Sequence, residues 1–320
     1  MTFRNFDRTA TADAVLAGID LAGHLALVTG ASSGLGAESA RALAAHGAEV
    51  VMTGRDVAKT EAAAAAIRGA TGNPRVSVLE LHLEVPGSVR AFAKEFLSRH
   101  RKLDLLLANA GVMACPLART AEGWELQLAT NHLGHFLLSG LLAPALLAGA
   151  PARVVAVSSA GHTFSPVVFD DLHFERRPYD KWSAYGQSKT ANILFAVELD
   201  RRLAARGVRA FAIHPGMIAT ELGRHLTSED LAMLGARAKQ REASGQTSFK
   251  TVPQGAATQL FAATAPELEG KGGLYLEDSQ ISGTTPCPGG IGCAAYALDS
   301  EAAKRLWDVS EAAVGERFAF

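Results

Sequence analysis

The chain has 320 residues, of which 48% are hydrophobic and 20% are charged, and its formal net charge is −1. This length allows a large buried core, and the composition is that of an ordinary globular protein. The sequence contains no Pro/Ser-rich linker, low-complexity tract or fixed-period repeat, which favours one domain. The near-neutral charge gives no general electrostatic reason to bind nucleic acid or an anionic membrane.

The cysteines and the first residues bear on the cellular compartment. Cys115, Cys287 and Cys293 are odd in number and lack the second pair of ligands that a structural zinc site needs. We interpret them as free thiols in a reducing compartment. Residues 1–22 include several charges and no unbroken apolar core, so no secretory signal is predicted. Together these patterns predict a cytoplasmic protein.

One stretch is apolar enough to raise the question of a membrane. It runs from Phe136 to Ala150, is short for a bilayer span, and contains Pro144. A helix buried in a core or in a subunit interface is the better interpretation. No integral membrane segment is therefore predicted.

Short runs rich in Val and Leu alternate with Ala-rich segments, a pattern typical of βαβ units and of a parallel sheet covered on both faces. Seven strands are predicted, at Leu25–Thr29, Glu49–Thr53, Val76–Leu81, Leu103–Ala108, Arg153–Ser158, Arg209–His214 and Gly273–Leu276. Helices are predicted at Ala37–His46, Lys59–Arg68, Val89–Arg99, Trp124–Leu147, Ser183–Arg206 and Gln254–Ala263. The sequence therefore predicts an α/β protein.

Two stretches do not fit this alternation, Ala160–Trp182 and Met217–Val252. Both follow strand ends, where open α/β sheets form their ligand crevices. The second stretch is rich in charged residues. We predict that 217–252 is either a solvated helix or a lid over a substrate.

The first predicted strand ends in a glycine-rich turn, Thr29-Gly30-Ala31-Ser32-Ser33-Gly34-Leu35-Gly36, and a helical segment follows at once. Glycines allow the backbone to turn sharply and approach a pyrophosphate, and a helix N-terminus offers free N–H groups and a favourable dipole. The turn is therefore a candidate nucleotide site, with a plain connecting loop as the alternative.

The Gly-x3-Gly-x-Gly spacing of this turn differs from the G-x-G-x-x-G of ordinary Rossmann dehydrogenases and resembles that of the short-chain dehydrogenase/reductase family. The second nucleotide motif of that family matches Asn109-Ala110-Gly111, directly after the fourth predicted strand. The resemblance covers roughly Gly23 to Gly315. It implies an NAD(P)-dependent oxidoreductase with a Rossmann-like, doubly wound, seven-stranded parallel sheet and helices on both faces. This single domain spans 23–315, with an extension at 1–22 and a tail at 316–320.

The residues after the second predicted strand bear on cofactor choice. An acidic residue there binds the ribose hydroxyls, whereas a basic one receives a 2'-phosphate. Here Gly54 leaves room, Arg55 presents a fork of donors suited to phosphate, and the acid is displaced to Asp56. We predict NADP(H), with NAD(H) as the other possible cofactor. In the alternative interpretation, Arg55 is an exposed arginine paired to Asp56.

One position departs from the family pattern. The family usually places an Asp near the end of the third strand to contact the adenine, and the aligned residue here is His82, followed by Leu83. A histidine can replace this contact through its ring nitrogen or by stacking. His82 and Leu83 are therefore kept as candidate adenine contacts.

Tyr185-Gly186-Gln187-Ser188-Lys189 places a tyrosine and a lysine one helical turn apart. Hydride transfer at a carbinol carbon needs a group that moves a proton on the oxygen, and a tyrosine of pKa about 10 is poorly matched to neutral pH. We expect positive charge from Lys189 and from the oxidised nicotinamide to lower the pKa of Tyr185. Tyr185 is then the general acid in reduction and the general base in oxidation.

Further site residues follow from the resemblance. It implies that Lys189 also bonds the nicotinamide ribose and that Ser159 orients the substrate oxygen, with Ser158 as the alternative. Asn131 matches the asparagine that supports a water relay to the lysine, or it is a structural amide in a helix kink. Beside the nicotinamide carboxamide the resemblance places Pro215, Gly216, Ile218 and Thr220. The nearby histidines, His132, His135, His162 and His214, lack a convincing ligand spacing, so no metal site is predicted.

Longer matches, including NHLGHFLL, YGQSKTANILF and APELEGKGGLYLED, are similar to the retinol dehydrogenase-like branch of the family. That branch favours lipophilic alcohols and carbonyls such as retinoids and steroids. We expect Phe164, Tyr179, Trp182 and the segment 217–252 to form the pocket walls. The long helices that begin at Trp124 and Ser183 are apolar beyond the needs of one sheet face, which predicts a homodimer or homotetramer.

Two other functions fit the nucleotide motifs. The first is a catalytically silent nucleotide-binding sensor or scaffold. The second is an epimerase or dehydratase that holds NAD tightly. The complete set Asn131, Ser159, Tyr185 and Lys189 argues against the first, and Arg55 with the glycine spacing argues against the second.

Overall fold

The computed structural model describes residues 4–243, 249–285 and 292–320, so Cys287 lies outside the described residues. All seven predicted strands are present. They are β1 (Leu25–Val28), β2 (Glu49–Gly54), β3 (Val76–Glu80), β4 (Leu105–Ala108), β5 (Ala152–Val157), β6 (Val208–His214) and β7 (Leu274–Glu277).

The strands form one sheet in the order β3-β2-β1-β4-β5-β6-β7, and all neighbouring pairs among them are parallel. An eighth strand, β8 (Gln280–Ile281), joins β7 antiparallel, which the sequence did not predict. A small separate sheet pairs β9 (Thr284–Thr285) with β10 (Cys293–Ala294). Because the chain passes from the β3 edge back to β4, strand order reverses between β1 and β4. A crevice opens at such a switch point.

Helices cover both faces of the sheet. The first helices are α1 (Ala12–Leu16), α2 (Gly34–Ala45), α3 (Val57–Thr71), α4 (Pro86–Arg99), α5 (Leu126–Leu128) and α6 (Gly134–Ala148). The later ones are α7 (Lys181–Leu203), α8 (Ser228–Ala243), α9 (Val252–Thr264) and α10 (Ser300–Val314). The six predicted helices are confirmed, and two packed cores lie on the two sides of the sheet.

The predicted helix Trp124–Leu147 is interrupted by a π-helical turn at Ala129–Leu133, between α5 and α6. Within the described residues, one helix, Leu126–Ala148, is long and apolar enough to cross a membrane, and 78% of its most apolar window is buried in the protein. This burial agrees with a core helix.

Helix α10, which the sequence analysis missed, accounts for much of the apolar surface of α6 and α7. Trp307 lies between Phe136 and Phe195, with ring centroids 4.9 and 6.3 Å away. Phe318 of the tail meets Phe136 edge-on at 5.7 Å. The apolar excess that suggested pairing between subunits is therefore satisfied, at least in part, within one chain.

Residues 4–22 of the extension pack against the helix layer that contains α9. Val15 and Leu16 are fully buried, and Phe6 meets Phe261 edge-on at 5.9 Å. Arg4 bonds Glu267 through its Nε at 2.8 Å. From residue 4 onward the extension is thus part of the folded body.

Candidate active site

A cleft of about 1830 Å³ lies at the carboxyl ends of the parallel strands, above the switch point between β1 and β4. Loops that follow β1, β2, β3, β4, β5 and β6 all line it. This placement is the general one for ligands in open parallel sheets. Every residue that the sequence analysis named as a cofactor contact lines this cleft, namely Gly30, Ser32, Ser33, Gly34, Leu35, Gly36, Arg55, His82, Leu83, Asn109, Ala110, Gly111, Tyr185, Lys189, Pro215, Gly216, Ile218 and Thr220.

The glycine-rich turn connects β1 to α2 and approaches the loop after β4 closely. Gly30 has φ +64°, and a Cβ on it would lie 2.8 Å from the Cα of Ala110, so only glycine fits. Asn109 holds the two loops together because its Nδ2 donates to the carbonyl of Thr29 at 2.9 Å. At the start of α2, Ser33 occupies the N-cap without a side-chain capping bond. The first-turn N–H groups therefore keep their capacity for an anion.

Ser159, Tyr185 and Lys189 meet on the floor of the cleft. Ser159 ends the segment after β5, and its hydroxyl accepts a bond from the N–H of Gly161 at 3.0 Å. Tyr185 and Lys189 lie one turn apart on α7, and the Lys189 Nζ is 5.7 Å from the centre of the Tyr185 ring. The Lys189 ammonium donates to the carbonyl of Val157 at 2.9 Å. The two side chains, four residues apart in sequence, therefore lie on the same face of α7.

The ionisation of this pair differs from the sequence expectation. Burial raises the pKa of Tyr185 to about 12, although the hydrogen bond with Ser159 works in the opposite direction. Burial lowers the pKa of Lys189 to about 7. Within the chain's own residues, burial therefore opposes the expected lowering of the Tyr185 pKa, and the lowering that depends on the oxidised nicotinamide stays a prediction. At neutral pH the tyrosine is a neutral phenol, the form that donates a proton.

Comparisons with known proteins identify the family of this chain. The family model of the short chain dehydrogenases matches residues 24–231. The chain is a short-chain dehydrogenase/reductase. A probable oxidoreductase of Streptomyces antibioticus is 46% identical over 91% of this chain and 97% of its own length. Human retinol dehydrogenase 12 is 42% identical over 94% of this chain and 89% of its own length.

Solved structures agree on the fold. A putative uncharacterised protein from Mycobacterium paratuberculosis has a TM-score of 0.73 and 36% identity, covering 97% of this chain and 99% of that one. The Pseudomonas aeruginosa RhlG/NADP complex has a TM-score of 0.63 and 26% identity, covering 81% and 95%. This short-chain dehydrogenase/reductase thus has the Rossmann-like single-domain architecture expected from its motifs.

Arg55 lies at the end of the cleft that follows β2, with 54% of its side chain exposed. Its predicted alternative partner, Asp56, instead caps α3 by accepting from the N–H of Lys59 at 2.9 Å. The carboxylate nearest to Arg55 is that of Glu84, at 3.7 Å between Nη1 and Oε1, which is too long for a hydrogen bond. Arg55 therefore lines the cleft with only one long ion pair, to Glu84.

His82, which stands where the family usually has an Asp, is held between two acids. Its Nε2 lies 2.9 Å from Glu80 and its Nδ1 lies 3.8 Å from Glu84. The Oε2 of Glu84 is buried and has no protein partner. The sequence analysis did not select Glu84, although the departure at His82 was a signal to inspect its neighbours.

Asn131 lies in the π-helical turn behind the cleft floor. Its amide is fully engaged, since Oδ1 accepts from the N–H of Val112 at 2.8 Å and Nδ2 donates to Val112 O and to Ser188, both at 2.9 Å. Its side chain therefore has the structural role in a helix irregularity that was the alternative prediction. A part in a water relay to Lys189 stays a prediction.

The predicted choice of Ser159 over Ser158 fits the contacts. Ser158 is 2% exposed and donates to the carbonyl of Lys189 at 2.8 Å, so its hydroxyl is used inside the helix packing. Ser159 bonds Tyr185 and is further positioned by His162, whose Nδ1 lies 2.6 Å from the Ser159 carbonyl. Ser158 and Ser159 are therefore both held in place by hydrogen bonds to neighbouring residues.

The other half of the cleft is apolar. Phe164 and Trp182 line it as predicted, together with residues of the segment 217–252. From that segment and from the loop after β4 come Met113, Met217, Leu222, Leu226, Leu231, Leu234 and Phe249. Leu231 and Phe249 are 58% and 57% exposed at the rim. The described part of the segment 217–252 therefore contributes an apolar surface to this half of the cleft.

The prediction for Tyr179 is wrong. Tyr179 does not line the cleft but packs edge-on against Phe174 at 5.1 Å, and its hydroxyl donates to the carbonyl of Cys115 at 2.9 Å. Sequence proximity to Trp182 suggested a wall residue, but the turn before α7 directs the ring into a separate contact. Tyr179 is a structural residue.

The four histidines near the site each have a neighbour of their own, Ser310 for His132, Thr29 for His135, Ser159 for His162 and Ala160 for His214. Burial lowers the pKa of His132 to about 3 and that of His135 to about 4. In the part of the chain that the structure describes, no three His, Cys, Asp or Glu side chains come together as metal ligands. Cys115 and Cys293 are free and buried, and burial raises the pKa of both thiols.

Proposed function

We propose that this chain is an NADP(H)-dependent oxidoreductase that interconverts a lipophilic primary or secondary alcohol with its aldehyde or ketone. The observation that carries the proposal is the meeting of Ser159, Tyr185 and Lys189 between a nucleotide-binding turn and an apolar wall. Hydride transfer at a carbonyl needs a polar group on its oxygen and an apolar space for its substituents, and the cleft offers both.

The chain's residues fit a dinucleotide. The uncapped N-terminus of α2 would hold the pyrophosphate, and Asn109 and Gly111, which line the cleft, would lie against the dinucleotide. When bound, the nicotinamide supplies or takes the hydride. Lys189, buried at the cleft floor, is in reach to hold the nicotinamide ribose.

Tyr185 is the proposed proton donor in reduction. Its pKa of about 12 keeps the phenol protonated at neutral pH, and Ser159 beside it orients the substrate oxygen. With a pKa of about 7, Lys189 is present in both protonation states near neutrality. It is therefore suited to return a proton to Tyr185 after each reduction. No metal is required for this chemistry.

Two further features support the finer parts of the proposal. Arg55 favours NADP(H), since a guanidinium with free N–H donors binds a 2'-phosphate well, and the related RhlG structure is an NADP complex. The apolar wall and the relation to human retinol dehydrogenase 12 favour a lipophilic substrate.

Turnover of NADPH with a panel of ketones and aldehydes tests the proposal. Tyr185→Phe is expected to lower kcat by about 10²–10⁴-fold, because it removes only the proton-donating hydroxyl. Tyr179→Phe is the matched control, since the Tyr179 hydroxyl contacts Cys115 and Gln127 away from the cleft. Equal turnover in Tyr185→Phe and wild type would refute the role of Tyr185. Tight NADPH binding without any turnover would instead favour a nucleotide sensor.

Cellular location and assembly complete the proposal. We propose a cytoplasmic enzyme on the basis of its unpaired thiols Cys115 and Cys293. A homodimer or homotetramer remains a prediction, although α10 already covers part of the apolar helix face that suggested it. Analytical ultracentrifugation of the full chain measures this directly.

A further inference from the structure

The helix α8 carries one acid that does not face solvent. Asp230, in its first turn, is 5% exposed, whereas its neighbour Leu231 is 58% exposed. A buried carboxylate is costly unless it is paired and hydrogen-bonded. The partners of Asp230 therefore show what holds this helix in place.

Two kinds of partner converge on Asp230. The local ones are the N–H and the hydroxyl of Thr227, both of which donate to Oδ2, at 2.8 and 2.9 Å. The distant ones are Lys181, whose ammonium bonds Oδ2, and Trp182, whose indole N–H donates to Oδ1 at 3.1 Å. Burial works to raise the pKa of Asp230, but the bonds from Lys181 and Thr227 outweigh it and hold the pKa below its ordinary value. The acid is therefore ionised and fully engaged.

The distant partners belong to the start of the catalytic helix α7. Lys181 is its first residue, and Trp182 lies three residues before Tyr185. The Trp182 ring meets Tyr185 edge-on at 6.5 Å and Phe164 edge-on at 5.9 Å. Its indole is thus a wall of the cleft that is fixed at one edge by Asp230 of the segment above.

We propose that Asp230 is a specificity-determining positioning residue that fixes the Trp182 indole and fastens α8 over the apolar half of the cleft. Its carboxylate sets the space that the substituents of the carbonyl substrate occupy, without touching the reacting atoms. Bulky apolar ketones depend on this wall, because they fill the space between Trp182 and Leu231. Small ketones contact it little. This inference rests on the proposed function for its substrate class.

The other end of the segment is fastened separately. Lys250 N–H donates to the carbonyl of Met217 at 2.8 Å, and the buried Lys250 ammonium pairs with Asp278 at 2.6 Å. Loss of the Asp230 contacts is therefore expected to loosen the start of α8 and the Trp182 wall while the base of the segment stays attached. The effect should be confined to the substrate side.

The test compares Asp230→Asn with Glu229→Gln, which removes the same charge from the exposed neighbouring position. For Asp230→Asn we expect KM for a bulky apolar ketone to rise about fivefold or more, with kcat and the small-ketone KM within about twofold of wild type. Glu229→Gln should leave both unchanged. Trp182→Phe keeps an aromatic ring but removes the N–H donor, and its effect should not add to that of Asp230→Asn.

Tryptophan emission gives a readout that does not need activity. Asp230→Asn should shift the emission, and the shift should vanish in the Trp182→Phe background, because Trp124 and Trp307 lie elsewhere. If wild type reduces neither ketones nor aldehydes, the proposed function fails, while the emission still reports the Asp230 contact. If ketones are reduced but Asp230→Asn behaves like Glu229→Gln in KM and emission, the inference is overturned. Additive effects in the double variant would equally contradict it.

Discussion

The two halves of the cleft are built in different ways. The cofactor half is formed by loops that leave the ends of neighbouring parallel strands, with the Asn109 side chain donating to the Gly30 carbonyl at 3.3 Å and Gly30 packed closely against Ala110. The substrate half is formed by α8 and by the start of α7, which are held together by side chains far apart in sequence. The first arrangement is fixed by the sheet, whereas the second depends on a few polar bonds. Substitutions in one half should therefore have effects that leave the other half unchanged.

The largest effect on activity is expected for Lys189→Met, at the cleft floor where the two halves meet. Activity should fall by about 10²–10⁴-fold, because the group that assists Tyr185 is lost. Stability should rise, because the fold no longer keeps a buried amine whose pKa burial lowers to about 7. Asn192 would continue to satisfy the Val157 carbonyl at 3.0 Å.

The size of the stability gain from Lys189→Met depends on pH. Between the folded pKa of about 7 and the ordinary 10.5, the unfolded chain binds more protons, so wild-type stability rises with pH. The gain in Tm from Lys189→Met should therefore be largest at or below pH 7 and shrink toward pH 10. Lys94→Met, at an exposed lysine of α4, is the control. A gain that grows with pH would contradict the account.

The next effect lies in the cofactor half. Arg55→Ala should lower kcat/KM for NADPH by about 10–100-fold and leave the value for NADH almost unchanged, since a charged bond to the 2'-phosphate contributes about 1.5–3 kcal/mol. Arg75→Ala is a matched control, because Arg75 bonds the carbonyl of Gly47 outside the cleft. An equal loss with both cofactors would show that Arg55 supports the fold and does not select the phosphate.

A smaller effect is expected at the base of the substrate half. Asp278→Asn leaves the Lys250 ammonium, 3% exposed, without its carboxylate partner and should lower the free energy of unfolding by about 1–3 kcal/mol. KM for a bulky ketone should rise a few-fold, while the Kd for NADPH is preserved because no cofactor contact changes. Chemical denaturation and fluorescence titration measure the two quantities. A weakened NADPH affinity would show that the halves are coupled.

Sequence reasoning located the residues that line the cofactor half of the cleft because they lie in short contiguous motifs at strand ends. The seven strands, the glycine-rich turn and the Tyr185–Lys189 pair were all visible as local patterns. The helix α10 was missed, although Ala303, Leu306, Trp307 and Val314 follow a helical spacing after the Asp299 cap. Its burial depends on contact with α6 and α7, which no local window shows.

The substrate half was less predictable for the same reason. The bond between Asp230 and Trp182 joins residues 48 positions apart, and nothing in the charged segment 217–252 distinguishes Asp230 from its exposed neighbours. Tyr179 and Trp182 are close in sequence, yet only Trp182 reaches the cleft. The effect of burial on the pKa of Tyr185 was also not foreseen, because burial can be known only from the folded chain.

The most direct test of the central claim follows the hydride itself. NADPH that carries deuterium at the transferred position of nicotinamide C4 is incubated with a bulky ketone that the wild type reduces, and the alcohol is analysed by mass spectrometry. The account predicts one deuterium at the carbinol carbon with wild type and almost no labelled alcohol with Tyr185→Phe. Alcohol formed without deuterium, or equal labelling by Tyr185→Phe, would contradict it.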